Sequence, residues 1–318
     1  MNWKIVAASL LACLCAAPGS AASYQPNGSI EQKYAADGPW ATTTTATTQG
    51  CDREGNLCDI WYPTDLGSNP LRGQQGGFRH PVIVFANGTA NSVPAEKNRF
   101  FLRHLASWGF VVIRSRDGNT GNGDTVRDVA AYIKAQDNDP RSVFHNRIDE
   151  DKLGLTGHSQ GAATAVKLFS LGNSPFKTFV PIETPERVVC LVVDCAIAPG
   201  ALTGVTAGSI FFVGGNLDPV SPLPVNLGYY LPVADRVDKV MAMVAFGSHN
   251  EIEGDPACPA GGLPGACNIG VQPMLGYPTA WFMWKLQGAS DGPAAFARDG
   301  ELAHAAPNWL GVASNIDD

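Results

Sequence analysis

The feature that most constrains the fold of this sequence is a serine enclosed by two glycines, in the run Gly157-His158-Ser159-Gln160-Gly161. A short apolar run, Leu153 to Thr156, precedes it, and an alanine-rich, helix-forming run follows it. Such a run between a strand and a helix is typical of a sharp turn that holds the serine in a strained conformation at the top of a sheet. Both glycines are needed because a Cβ would clash where the strand and the helix approach each other. The context predicts a nucleophilic Ser159; the alternative is an inert serine in a tight structural turn.

Continuous apolar runs alternate with helical segments along most of the chain. Pro81 to Ala86 is a run of the kind that is buried on both faces of a parallel sheet. Further strand-like runs are Phe110 to Ile113, Lys177 to Ile182, Ser209 to Gly214 and Val240 to Phe246, and helical spacing predicts helices at Ala95 to Trp108, Val126 to Ile133 and Tyr277 to Leu286. This alternation predicts an α/β fold with a doubly wound, mostly parallel sheet.

The segments before the first buried run have a different pattern. Trp40 to Thr48 and Leu57 to Tyr62 are rich in residues that favour strands, and a polar turn separates them. They predict an N-terminal antiparallel hairpin. Ser23 to Gly38 is polar, and we expect it to be loosely held.

The N-terminus has the pattern of an export signal. Lys4 supplies a positive charge, Ile5 to Ala16 is apolar but too short to span a bilayer, and Gly19 to Ala22 offers small residues for cleavage. A lipoprotein cleavage site at Cys13 is the alternative. We therefore expect a signal peptide at residues 1–22, a single domain at 23–318, and a secreted or periplasmic protein without stable membrane insertion.

Composition excludes one class of partner. The net charge of −7 argues against nucleic acid as a partner, and the 45% hydrophobic content is that of a globular chain. The expected partner is a small or polymeric ester substrate, and we expect a monomer.

Cysteine usage agrees with export. Six cysteines lie beyond the signal segment, at Cys51, Cys58, Cys190, Cys195, Cys258 and Cys267. Six cysteines allow many connectivities, but these form three pairs of close sequence neighbours, and an oxidising compartment favours disulfides. We expect the pairings 51–58, 190–195 and 258–267. A zinc site is the alternative, but the sequence has no Cys-x-x-Cys pair, so no metal is predicted.

A serine hydroxyl needs a base that is itself oriented by a carboxylate. In this architecture the acid and then the histidine follow the serine, in loops after later strands. His249 lies three residues beyond the Val240–Phe246 run, whereas His304 follows no strand-like run. Asp218 follows the strand at 209–214, and its competitor Asp194 adjoins Cys195. The sequence therefore predicts Asp218 as the acid and His249 as the general base.

The same logic places an oxyanion hole. Its donors are expected to be the backbone N–H of Gln160 and one from the loop after the first buried strand, assigned to Thr89. Two such donors stabilise the negative charge that develops in the transition state. Substrate contacts are predicted at Gly88, His158, Glu183 and Thr184.

With these positions in order, the sequence resembles the secreted polyester hydrolases and cutinases, a branch of the α/β-hydrolases related to the dienelactone hydrolases. The resemblance covers residues 37–288 and rests on Asp37-Gly38-Pro39-Trp40, Ile60-Trp61-Tyr62-Pro63-Thr64, Gly88-Thr89-Ala90, Leu105 to Ile113, the serine run, Asp218-Pro219-Val220 and Gly247-Ser248-His249. It implies the α/β-hydrolase fold and a carboxylesterase that works through a covalent acyl-enzyme without a cofactor.

The sequence also departs from that family. Gln160 and Ala162 stand where the family usually has methionine and glycine, and Thr89 replaces an aromatic residue. Glu183-Thr184-Pro185 stands where a tryptophan is usual, and Glu186 to Gly208 is enlarged. The missing aromatic residues favour small or medium esters as substrates. The alternatives are a lipase or acyltransferase of the same fold, or an exported binding protein on a degenerate hydrolase scaffold.

Overall fold

Nine strands form one sheet in the computed structural model, which describes residues 24–90, 93–198, 200–258 and 266–317. The strands are β1 (Thr42–Ala46), β2 (Cys58–Pro63), β3 (His80–Ala86), β4 (Val111–Ser115), β5 (Ile148–His158), β6 (Thr178–Ile182), β7 (Ser209–Gly215), β8 (Asp238–Val244) and β9 (Trp309–Ser314). Their order across the sheet is β1-β2-β4-β3-β5-β6-β7-β8-β9. The predicted signal segment, 1–22, lies outside the described residues.

The helices are α1 (Ser29–Ala35), α2 (Arg99–Ser107), α3 (Asp124–Asn138), α4 (Gln160–Ser170), α5 (Arg187–Cys190), α6 (Leu223–Tyr230), α7 (Gly276–Gln287) and α8 (Gly292–Phe296). Short 3₁₀ turns lie at Pro70–Arg72, Ala201–Gly204, Glu251–Glu253, Gln272–Met274 and Glu301–His304. Within the described ranges, no helix is long and apolar enough to cross a membrane.

The sheet is parallel from β4 through β8 and antiparallel at both edges. β1 pairs with β2, β2 with β4, and β8 with β9, all antiparallel. The prediction of an α/β fold with a mostly parallel sheet is confirmed. Alternation along β3 explains its unbroken apolar run, because Val82 and Val84 pack into one core cluster while Ile83 and Phe85 pack into another on the opposite face.

The prediction of a loosely held segment near the N-terminus was wrong, and no strand was predicted near the C-terminus. Residues expected to be loosely held contain α1, which is fixed by the buried side chains of Glu31 and Tyr34. The Glu31 carboxylate accepts a 2.7 Å hydrogen bond from the indole of Trp309 on β9, the edge strand that the sequence analysis did not predict. The polar segment that contains α1 is thus held by contacts with a residue 278 positions away. A local sequence pattern does not predict such contacts.

The three expected disulfides are present. The Sγ atoms are joined at 2.05 Å in Cys51–Cys58, 2.04 Å in Cys190–Cys195 and 2.16 Å in Cys258–Cys267. The first closes the connection between β1 and β2, the second lies in the enlarged segment after β6, and the third lies beyond β8.

Replacing both Cys51 and Cys58 with alanine should lower the free energy of unfolding by about 2–3 kcal/mol, because a short closed loop no longer restricts the unfolded chain. Thermal denaturation should show this as a fall in Tm of roughly 4–8 °C. An unchanged Tm would mean that this bridge adds no stability.

Candidate active site

The serine lies on a sharp turn between β5 and α4. β5 ends at His158, α4 begins at Gln160, and Ser159 between them has φ 53° and ψ −119°. A Cβ on Gly161 would lie 2.0 Å from the carbonyl oxygen of Ala86, and one on Gly157 would lie 2.6 Å from the backbone of Gly161. Glycine is therefore required at both positions, for the close approach that the sequence predicted.

The structure brings Ser159, Asp218 and His249 into one chain of hydrogen bonds. The Nε2 of His249 lies 2.9 Å from the Oγ of Ser159, and its Nδ1 lies 2.8 Å from Oδ2 of Asp218. Asp218 is 2% exposed, and its other oxygen accepts the backbone N–H of Val220 at 2.7 Å. With Nδ1–H directed to the carboxylate, Nε2 is free to accept the serine proton.

The sheet explains why these residues meet. β5, β6, β7 and β8 are consecutive parallel neighbours, so the loops at their carboxyl ends lie side by side. The two loops that follow β7 and β8 are also bonded to each other, since Leu217 donates its backbone N–H to the carbonyl of Gly247 at 2.8 Å. A Cβ on Gly215 would lie 2.4 Å from that same carbonyl oxygen.

The loop predicted to carry an oxyanion donor lies against the serine. A Cβ built on Gly88 would lie 3.3 Å from the Cβ of Ser159, and the next residue, Thr89, is exposed. The amide of Asn87 fixes this loop by donating to the carbonyls of Ser115 at 2.8 Å and Asp117 at 2.7 Å. Gln160 is the first residue of α4, and the first N–H groups of a helix have no partner within it.

The side chain of Gln160 ties the serine turn to the enlarged segment after β6. Its Nε2 donates to Oδ1 of Asn119 at 2.7 Å and to the carbonyl of Val193, inside the Cys190–Cys195 loop. The same loop touches Gly121, where a Cβ would lie 2.1 Å from the carbonyl oxygen of Asp194. Gln160, which stands where the resembled family usually has methionine, therefore bonds directly to the segment that is enlarged relative to that family.

The remaining predicted substrate-binding side chains are buried behind the triad. His158 is 3% exposed, and Glu183 and Thr184 are both 0% exposed. His158 donates from Nε2 to the carbonyl oxygen of His249 at 2.7 Å, so it holds the loop that carries the histidine. Oε2 of Glu183 lies 3.1 Å from the same nitrogen.

Burial governs the ionisation of these two groups. Desolvation, assisted by the neighbouring His249, lowers the pKa of His158 to about 3. Burial and the nearby carboxylates of Asp218, Glu251 and Glu253 raise the pKa of Glu183 well above its usual range. Both shifts favour the uncharged form of the group concerned, neutral imidazole for His158 and protonated carboxyl for Glu183.

A carboxylate that the sequence pattern does not indicate organises the loop that carries His249. Glu251 is 0% exposed and follows the histidine by two residues. Its oxygens accept hydrogen bonds from Ser248 and from three consecutive backbone N–H groups, at Asn268, Ile269 and Gly270. The only sequence signal was its position in Glu251-Ile252-Glu253, a pattern typical of an exposed turn.

Two groups of described residues have the donor atoms of a metal site within 4.8 Å of one another: His158, Glu183 and His249, and Glu251, Cys258 and Cys267. In the first group, both ring nitrogens of His249 already bond to Ser159 and Asp218. In the second, the two sulfur atoms are bonded to each other, so neither is a thiolate. We assign neither group to a metal ion.

Comparison with models of protein families and with curated proteins finds no match to the sequence. The fold and the Ser159–His249–Asp218 geometry are therefore the grounds on which function is argued. An α/β sheet that presents a serine, a histidine and an aspartate in this order is able to perform nucleophilic acyl chemistry.

Proposed function

We propose that this protein is an exported serine ester hydrolase with an α/β-hydrolase fold. The observation that carries the proposal is the continuous hydrogen-bonded chain from Ser159 through His249 to Asp218, on a turn where the serine has a positive φ. Strain of this kind persists where surrounding structure enforces it, and it is common at active sites. A structural turn would need neither the two hydrogen bonds nor the left-handed serine.

The mechanism follows from the order of these contacts. His249 takes the proton of Ser159 as the Oγ attacks the ester carbonyl, and Asp218 stabilises the resulting imidazolium. The negative charge on the carbonyl oxygen is held by the backbone N–H groups of Gln160 and Thr89. His249 then protonates the departing alcohol, and water activated by the same histidine releases the acid.

Exposed apolar side chains next to the triad support a hydrophobic acyl or alcohol group in the substrate. Leu217 directly precedes Asp218 and is 55% exposed, and Phe246 precedes His249 by three residues and is 66% exposed. Leu191 and Val192, in the loop that Gln160 holds, are 75% and 85% exposed. These side chains offer apolar contact on an open surface, which favours small or medium esters.

Covalent trapping tests the proposal directly. An alkyl fluorophosphonate should add once to the native protein, as the Oγ of Ser159 displaces fluoride, and peptide mass spectrometry should locate the adduct on Ser159. The Ser170→Ala variant, at the other end of α4, serves as the control and should react like the native protein. Labelling that is absent, or that persists in Ser159→Ala, would contradict the proposal.

A further inference from the structure

Glu183 is a buried carboxyl group with no role in the proposed mechanism. It directly follows β6, its φ is +58°, and its backbone N–H donates to the carbonyl of Val213 at 2.7 Å. This non-glycine residue is therefore held in a left-handed conformation between the ends of two central strands. Its side chain is 0% exposed and lies behind the triad.

The nitrogen nearest to Glu183 already has an acceptor. Nε2 of His158 donates to the carbonyl of His249 at 2.7 Å, whereas Oε2 of Glu183, 3.1 Å away, lies out of line for that hydrogen bond. Neither oxygen of Glu183 has a hydrogen-bond partner among the described residues. Burying a carboxylate without donors costs far more free energy than burying a protonated carboxyl group, which carries no charge.

The charged groups around Glu183 also favour its protonated form. The ionisable groups near Glu183 are His158 on β5, Asp218 after β7, and His249, Glu251 and Glu253 after β8. Lys97 acts on the adjoining His158 and pairs with Glu253 at 2.9 Å. Acidic groups predominate, and Lys97 is already paired. The His158 and His249 rings lie 5.0 Å apart between centroids. A charged His158 would therefore oppose the imidazolium that His249 forms during catalysis.

We propose that Glu183 is a positioning residue: protonated, it leaves the Nε2–H of His158 bonded to the carbonyl of His249, and ionised, it takes that hydrogen bond and so removes one of the contacts that position the general base. A carboxylate is a stronger acceptor than a carbonyl and lies only 3.1 Å from the nitrogen. The proton that Glu183 loses passes to hydroxide in the solvent, and no covalent bond changes. The consequence for catalysis rests on the proposed function, but the protonation of Glu183 does not.

Stability measured against pH tests the protonation without any assay of activity. Because the folded-state pKa of Glu183 is raised above its unfolded value of 4.5, the folded state holds a proton that the unfolded chain has lost. The stability that this proton contributes is complete below the unfolded pKa and is lost as pH rises toward the folded pKa. Glu183→Gln lacks this loss, so its Tm should rise relative to the native protein by roughly 2–3 °C per pH unit above about pH 5.

The control is Glu186→Gln, which removes an exposed glutamate from the same segment; the rise in the Tm difference with pH should be specific to Glu183→Gln. Glu183→Met, neutral and of similar length, should follow Glu183→Gln. A Tm difference that is constant or that falls with rising pH overturns the proposal, because an ionised Glu183 would be required. Failure of both neutral variants to fold, when Glu186→Gln folds, overturns it for the same reason.

The effect of Glu183 on catalysis is tested by measuring hydrolysis of a short-chain chromogenic ester at a series of pH values. The native kcat/KM should decline as pH rises through the folded-state pKa of Glu183, whereas Glu183→Gln should keep at least about a third of the native value below that decline and should not show it. An identical decline in both proteins would refute the positioning role of Glu183, even if the stability result holds. If neither protein hydrolyses any ester, the proposed function fails, whereas the Tm result still decides the protonation state.

Discussion

Replacing Ser159 with alanine should reduce kcat/KM toward chromogenic esters by about 10⁴- to 10⁶-fold. The substitution removes the atom that attacks the carbonyl, while the backbone donors and the apolar surroundings remain. Substrate binding should therefore change little, so the loss should appear mainly in kcat. A series of esters of increasing acyl length, assayed with the native and the variant protein, measures the effect and also reports the acyl preference.

A double variant sharpens this test. If Ser159 and His249 act as one unit through their 2.9 Å contact, Ser159→Ala/His249→Ala should be no slower than Ser159→Ala alone. Asp218→Asn should lower kcat by about 10⁴-fold, since the amide favours the wrong histidine tautomer. Equal turnover by the native protein and Ser159→Ala would refute the hydrolase proposal. Additive losses in the double variant would show that the serine and the histidine act separately.

The central sheet could be predicted because its strands are buried on both faces. The β3 run has no polar residue between Val82 and Ala86, since alternate side chains enter two different cores. The edges were harder to predict. β9 is half exposed, and α1 is short and polar; both became ordered by packing against distant residues rather than by local preference.

The juxtaposition of Ser159, Asp218 and His249 could be predicted because the chemistry of the proposed triad fixes the residue types, and the topology fixes their order. Each member lies at the carboxyl end of a strand that the apolar pattern had already located. The residues behind the triad could not be predicted. Nothing in the local pattern distinguishes the buried Glu183 and Glu251 from exposed acids, because their burial depends on where the loops after β6 and β8 meet.

Glu251 joins two stretches of chain that follow β8, and its replacement should have the largest effect on stability that we expect near the site. Glu251→Gln replaces one carboxylate oxygen with an NH₂ group that faces at least two donors. Oε1 accepts the backbone N–H groups of Ser248 and Asn268, and Oε2 accepts those of Ile269 and Gly270. The four N···O distances are 2.6–2.9 Å. Two charge-assisted hydrogen bonds are lost whichever way the amide turns. At about 1.5–3 kcal/mol each, the free energy of unfolding should fall by about 3–6 kcal/mol.

Differential scanning calorimetry should register this as a fall in Tm of roughly 6–12 °C. Since Ser248 adjoins His249, a displaced loop should also lower kcat/KM by about 10- to 100-fold, with most of the loss in kcat. Glu253→Gln is the matched control, because its carboxylate pairs with Lys97 at 2.9 Å, whereas the four backbone N–H donors named above bond to Glu251. A Glu251→Gln protein that melts and reacts like Glu253→Gln would mean that the buried carboxylate is not what holds His249 beside Ser159.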